Sequence, residues 1–142
     1  MLPFKSMKIN FGVPKNKMRF SGTEGDWTDD GKGNYEVWVI KLPFIFMLAV
    51  LFHELIEIGW CFLHGVRAKE ADAFDAKWYG KKDVVDENID YGTRIDCPYR
   101  GGHLWGIRIE HLVIFILSGG FGYFKLWKEY GEACDKAIMD KQ

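Results

Sequence analysis

Three ionisable side chains lie together in the most apolar stretch of this 142-residue chain: His53, Glu54 and Glu57. The flanking residues, 42–52 and 58–63, carry no charged side chain. Burying an imidazole and two carboxylates among such neighbours is costly unless something compensates their charges. A bound metal ion is the compensation that best suits these residue types.

The spacing of these residues fits a metal site on a helix. His53 and Glu57 are four residues apart, so a helix places them one turn apart on one face, where both can bind one ion. The pattern is that of the HExxH zinc helix, with glutamate in place of the second histidine to give HExxE. In HExxH sites the residue at the position of Glu54 is the general base that activates water. We therefore predict bound Zn²⁺, or another divalent metal, with Glu54 as the catalytic residue.

A helix with this spacing supplies two ligands, so a third must come from elsewhere in the chain. His103 is favoured, because it opens a later helix and shares an apolar helical stripe with Glu110. Glu110 could ligate the ion or accept a hydrogen bond from a ligand histidine. Asp75 lies between apolar neighbours and is an alternative ligand. By residue type alone, the weaker candidates are His64, Asp72 and His111.

Other interpretations of the same residues stay open. The cluster could be a buried salt-bridge network completed by an arginine, for which the candidates are Arg94, Arg100 and Arg108. The protein could be a non-catalytic accessory or interaction protein that holds a structural metal or a buried polar cluster. A two-metal carboxylate site that adds Glu110 is the weakest alternative, because the chain lacks the Glu-x-x-His order of di-iron bundles.

Composition limits the partners and the compartment. The net charge of −1 provides no broad basic field for nucleic acid, and we expect none as a partner. The three cysteines are far apart and form no CxxC pair, which favours a reducing cytoplasm. The first 11 residues lack the apolar segment of a signal peptide. The length suits one domain, residues 1–142.

Two apolar segments raise the question of a membrane. Residues 42–63 are long enough to span a bilayer, but ionisable groups near the middle of a span are expensive in lipid. Residues 112–124 are too short for a span. We expect both to be core helices and expect no membrane partner, whereas the oligomeric state stays open.

The periodicity predicts an α+β fold with a small N-terminal antiparallel sheet packed on three or four helices. The helix at about 43–64 should be central, since it is apolar nearly all round and Gly65 suits its C-terminal cap. Residues 21–34 should be a polar connection, and residues 80–102 a long irregular loop. The expected strands are Met7–Phe11, Lys17–Phe20 and Tyr35–Ile40, and the other expected helices begin near Ala68, His103 and Tyr123.

Several short motifs follow one another along the chain: Gly25-Asp26-Trp27, Tyr35–Ile40, His53-Glu54-Leu55-Ile56-Glu57, Cys61, Gly65-Val66, Asp72-Ala73-Phe74-Asp75, Pro98-Tyr99, His103 and Ile109-Glu110. This ordered set resembles a family of small, mostly uncharacterised phage and prophage proteins that look like minimal zincins. The resemblance covers residues 22 to 130, roughly. It implies a strand that precedes a metal-binding helix, a metal-bound hydrolytic site and, for a phage protein, the host cytoplasm, but it supplies no substrate. The hydrolase hypothesis itself predicts a peptide or protein substrate. The glutamate at position 57 departs from common zincins and favours metal binding over any particular reaction.

Overall fold

The computed structural model describes residues 4–20, 22–78 and 90–139, and within them the chain is α+β. A three-stranded sheet at the N-terminus is followed by four helices in these ranges. The strands are β1 (Ser6–Val13), β2 (Gly25–Asp29) and β3 (Asn34–Ile40). The helices are α1 (Phe44–His64), α2 (Ala68–Trp78), α3 (Arg100–Leu117) and α4 (Tyr123–Met139).

The sheet has the order β1-β3-β2 and is mixed rather than wholly antiparallel. Strands β2 and β3 form the expected kind of hairpin, whose turn is held by backbone N–H groups of Lys32 and Asn34 that donate to Asp30. Strand β1 pairs with the other edge of β3 in the parallel direction. Strands β1 and β2 therefore lie on opposite edges of β3.

The second strand lies later in the chain than we predicted. Residues Lys15–Lys17 form a short 3-10 turn, and the strand begins at Gly25, inside the stretch that we expected to be a polar connection. The sequence pattern did not predict strand β2, because the strand contains acidic residues and its apolar and polar residues do not alternate regularly. One of them, Asp26, is buried and paired with Arg19 at 3.2 Å.

Helix α1 runs through the centre of the molecule, as expected. It begins after Pro43 and ends at Gly65, whose φ of 72° is left-handed and whose N–H donates to the carbonyl of Cys61. Its buried positions recur at three- and four-residue intervals and include all three ionisable residues of the HExxE motif. Of the described helices, α1 is the one long and apolar enough to cross a membrane, and 44% of its most apolar window is buried.

Helix α3 packs antiparallel to α1 at very short range. It begins at Arg100, three residues earlier than the expected start at His103. Two buried glycines permit the approach: a Cβ on Gly102 would lie 3.1 Å from Glu57 Cα, and one on Gly106 would lie 2.6 Å from the ring of His53. Helix α3 therefore brings His103 directly opposite the HExxE motif.

The remaining elements pack against parts of this pair of helices. Helices α2 and α4 begin where the sequence predicted, at Ala68 and Tyr123. Helix α4 folds back along α3 and returns to α1, with the rings of Phe46 and Tyr130 5.5 Å apart. Of the loop expected at 80–102, residues 80–89 lie outside the described ranges. Residues 90–99 are irregular apart from the 3-10 turn Tyr91–Thr93.

Candidate metal site

Three potential metal-donor atoms converge between α1 and α3. His53 Nε2 lies 3.0 Å from His103 Nδ1, His103 Nδ1 lies 3.1 Å from Glu57 Oε2, and His53 Nε2 lies 3.5 Å from Glu57 Oε2. Among the described residues, His53, Glu57 and His103 form the one group of histidine, cysteine or acidic side chains close enough to share an ion. A tetrahedral zinc ion with bonds of about 2.0–2.1 Å separates its ligand atoms by about 3.3 Å. The three distances bracket that separation.

Each of the three donors is oriented by a further side chain. His53 Nδ1 lies 2.8 Å from Glu110 Oε1, and His103 Nε2 lies 2.9 Å from Asp90 Oδ2. The indole N–H of Trp27 donates to Glu57 Oε1 at 2.8 Å. A carboxylate on the far nitrogen of a ligand histidine fixes its tautomer and ring orientation in metal sites. The remaining nitrogen of each histidine therefore faces the shared centre.

The surrounding acids favour positive charge at this centre. Burial lowers the pKa of His103, but Asp90 and Glu57 outweigh that effect and raise the pKa to about 9. Burial acts in the same direction on His53, and the hydrogen bonds to Glu110 and Glu57 raise its pKa well above its usual value. Burial raises the pKa of Glu57, but both histidines overcome it and lower the pKa to about 2. A cation fits this environment, and binding a metal would displace the histidine protons.

The arginines considered for a buried salt-bridge network have partners elsewhere. Arg94 pairs with Asp96 at 2.8 Å, and Arg100 donates to the carbonyl of Thr93. Arg108 lies over the ring of Trp105. Within the described residues, the charges of Glu57 and the two histidines are compensated by one another and by Asp90 and Glu110.

Glu54 is buried beside the three donors, on the side of α1 that faces β2. It is 7% exposed, and a Cβ placed on Gly25 would lie 2.3 Å from its Oε1. Burial, together with the nearby charge of Glu57, raises the pKa of Glu54 well above its ordinary range. A carboxylate in this environment is a stronger base than one in water, and it can hold a proton at neutral pH.

Four glycines pack directly against the four side chains of the centre. In each case an added Cβ would lie 3.1 Å or less from the neighbouring residue, so only glycine leaves room for that side chain. Two of these glycines, Gly102 and Gly106, flank His103 in the sequence. This spacing of glycines around His103 was the signal in the sequence that could have indicated the close packing. The pairs are Gly25 with Glu54, Gly102 with Glu57, Gly106 with His53, and Gly92 with His103.

The other sequence candidates lie outside the three-donor group. Asp75 is buried and accepts a hydrogen bond from the hydroxyl of Tyr99, and burial raises its pKa to about 7. Asp72 pairs with Arg19 at 2.6 Å. His64 stacks on Trp60, and His111 stacks on Trp127.

Sequence reasoning missed Trp27, Asp90 and Glu24 as parts of this environment. Burial raises the pKa of Glu24 to about 7, and Glu110 is among the neighbouring acids that raise it further. Strand β2 brings Trp27 to Glu57, and the segment before α3 brings Asp90 to His103. Neither residue has a local spacing that relates it to the HExxE motif.

Comparison with protein-family models, with curated proteins and with solved structures gives no match to this chain. The function must therefore be argued from the site itself. The fold and the site together define an α+β protein in which two antiparallel helices present a His, Glu, His group able to bind a metal ion.

Proposed function

We propose that this protein is a metal-dependent hydrolase of the metallopeptidase-like type, with one Zn²⁺ held by His53, Glu57 and His103. The observation that carries this proposal is the convergence of three donor atoms at 3.0–3.5 Å, each backed by an orienting side chain. Two imidazoles and one carboxylate are a ligand set used by catalytic zinc, where three protein ligands leave one position open.

The chain's own residues divide into two tasks. His53, Glu57 and His103 fix the ion, while Trp27, Glu110 and Asp90 hold those ligands in orientation. Glu54 accepts a proton from the attacking water and passes it to the leaving group, as a buried carboxylate of raised pKa can do. When bound, Zn²⁺ supplies Lewis-acid polarisation of a carbonyl and lowers the pKa of water toward ~7. An amide in a peptide or protein is the substrate class that this chemistry serves.

Metal analysis of protein purified without added metal tests the binding step. We expect about one zinc per chain, with the metal lost and the unfolding temperature lowered in His53→Ala. His64→Ala is the matched control, since His64 is an exposed histidine outside the site, and it should keep the metal. A metal-free protein whose His53→Ala variant is equally stable would disprove the proposal.

The burial of the site favours a second candidate, a structural ion without catalysis. His53 and Glu57 are each 5% exposed and Glu54 is 7% exposed. The variant Glu54→Gln separates the two functions, because it removes a proton acceptor without changing the three donors. For a hydrolase it keeps the metal and the fold but loses chelator-sensitive cleavage of a quenched-fluorescent peptide library. For a structural ion the wild-type protein has no such cleavage to lose.

We also propose the cytoplasm as the compartment, with the host cytoplasm following if the resemblance to phage proteins holds. All three cysteines are buried free thiols: Cys61, Cys97 and Cys134. Free thiols in these numbers are typical of a reducing environment.

A further inference from the structure

One end of the molecule exposes a cluster of large apolar side chains, which we call the apolar pole: Phe44, Ile45, Phe115, Ile116, Leu117, Phe121 and Phe124. Because α1 and α3 are antiparallel, the start of α1 and the end of α3 lie at the same end, and the turn into α4 joins them. Phe121 is fully exposed, Phe124 is 84% exposed, and Phe44 and Ile116 are each 64% exposed.

The pole is larger than an ordinary scatter of surface apolar residues. At about 200 Å² per aromatic ring, its four phenylalanines alone expose on the order of 600 Å². That is about the upper limit for the largest apolar patch of a typical monomer, before the aliphatic residues are added. Phe11 extends the patch onto the sheet, with its ring edge-on to Phe44 at 6.0 Å. An area of this size favours a partner that covers it.

The charged side chains nearest the pole are lysines. The two segments that carry the pole residues, 37–53 and 111–128, contain three lysines but no aspartate or glutamate. Lys41 directly precedes α1, and Lys125 and Lys128 lie in the first turns of α4 with side chains 85% and 79% exposed. Both lysines form exposed i to i+4 ion pairs, Lys125 with Glu129 at 3.9 Å and Lys128 with Glu132 at 3.7 Å, and the glutamates lie one turn further from the pole. Exposed pairs of this kind are weak, so lysines are the charged groups nearest the pole on a chain whose net charge is −1.

We propose that the apolar pole docks on an anionic phospholipid bilayer, with its phenylalanines in the headgroup region and its lysines on the lipid phosphates. Exposed aromatics flanked by lysines suit such an interface, where each basic residue adds to the attraction. A two-fold contact between copies through the same pole would instead place like charges together. The contact is peripheral, because α1 buries His53, Glu54 and Glu57 inside the protein and not in lipid.

This inference changes the expectation that the chain has no membrane partner. The segment at 42–63 contributes much of the core, as expected, although its start at the pole is uncovered. The segment at 112–124 was expected to be a core helix, but it is mostly exposed and turns at residues 118–122, with Ile114 its one fully buried side chain. His53 lies nine residues after Phe44, which on a helix is about 14 Å from the pole. The proposed metal site would thus lie near the membrane surface without entering it.

Vesicle co-sedimentation of the full chain tests the docking. The probes are vesicles of phosphatidylcholine alone and vesicles in which about a third of the lipid is phosphatidylglycerol. We expect at least about tenfold stronger binding to the anionic vesicles, weakened by salt. The double variant Phe121→Ser/Phe124→Ser should weaken that binding by about tenfold or more. The double variant Lys125→Gln/Lys128→Gln should remove most of the preference for anionic lipid.

Leu63→Ser is the matched control, because Leu63 is 70% exposed at the opposite end of α1, and it should bind vesicles as the wild type does. Circular dichroism checks that each variant is folded. Absent or equal binding to the two kinds of vesicle would overturn the proposal, and so would unchanged binding by the phenylalanine variant. A dimer that this variant converts to a monomer, without vesicle binding, would assign the pole to a second copy.

Discussion

At the scale of single residues, the candidate site depends on side chains that never touch the ion. Trp27 donates to one oxygen of Glu57 at 2.8 Å, which leaves the other oxygen facing the two histidines. Glu110 and Asp90 act in the same way on His53 and His103. Partners of this kind are worth about 10- to 100-fold in metal affinity.

Trp27→Phe tests this dependence. The phenylalanine keeps an aromatic ring in the core but cannot donate to Glu57, so the carboxylate loses its orientation. We expect zinc affinity to fall by about tenfold or more, measured by competition with a chromogenic chelator. Trp38→Phe makes the same substitution on β3, where Trp38 stacks with Arg19, and should leave the affinity unchanged. Equal affinity in the two variants would remove Trp27 from the site.

At the scale of elements, the packing of α3 on α1 sets the geometry of the site. The two helices approach closely because glycines face the ionisable residues across the interface. The same contacts leave little room for movement, so the ligands are held before any ion binds. A preorganised group of donors loses less entropy on binding than a mobile one.

Gly106→Ala tests the role of this close approach. The added Cβ would lie 2.6 Å from the ring of His53, so either the ring or the helix must move. We expect a loss of about 1–3 kcal/mol in the free energy of unfolding, together with loss of zinc. Both can be measured, by urea denaturation and by metal content.

Gly131→Ala in α4 is the control, since a Cβ there would meet nothing within 4 Å. Alanine in a helix interior is favoured over glycine by roughly 0.5–1 kcal/mol, so this variant should be slightly more stable and keep its metal. A Gly106→Ala variant that behaves like Gly131→Ala would contradict the proposed packing.

Local patterns predicted some elements and residues, and non-local pairing decided the others. The helix period and the capping Gly65 indicated α1, and the i to i+4 spacing related His53 to Glu57. His103 could be proposed because it stood near a predicted helix start. The parallel pairing of β1 could not be predicted, since the pairing partner of a strand is set by tertiary contacts.

The same distinction explains why Asp90 and Trp27 were missed. Both reach the site from distant parts of the chain, and neither has a neighbour in sequence that marks it. The sequence did not predict the apolar pole for a related reason. Periodicity shows that a segment is apolar, but only packing shows which of its residues stay exposed.

At the scale of the whole molecule, buried acids give the free energy of unfolding an unusual dependence on pH. Burial raises the pKa of Asp75 from 3.8 to about 7, and it raises the pKa of Asp26 to about 7 as well. An acid whose pKa is raised on folding binds more protons in the folded state than in the unfolded state within that window. The contribution of these two acids to the free energy of unfolding therefore falls as the pH rises from about 4 to about 7.

Asp75→Asn should flatten this dependence. The amide oxygen still accepts the hydrogen bond from Tyr99, but the side chain no longer ionises at neutral pH. In the presence of a chelator, we expect the fall in unfolding free energy between about pH 5 and pH 8 to shrink by on the order of 2 kcal/mol. Urea denaturation at the two pH values measures it.

Asp30→Asn provides the comparison. Asp30 is exposed, and the hydrogen bond from Asn34 lowers its pKa. Asp30 therefore adds to the free energy of unfolding as the pH rises through the acidic range, below the pH range in which Asp75 ionises. This variant should therefore match the wild type between about pH 5 and pH 8. An Asp75→Asn variant with the full wild-type slope would show that burial of Asp75 does not set the dependence.

The central claim is that His53, Glu57 and His103 bind one metal ion together. Crystals of protein purified without added metal, measured at the zinc absorption edge, test it most directly. We expect one anomalous peak at about 2.0–2.2 Å from His53 Nε2, His103 Nδ1 and Glu57 Oε2. Zinc-supplemented crystals with no peak between these atoms, or with a peak on other side chains, would contradict the claim.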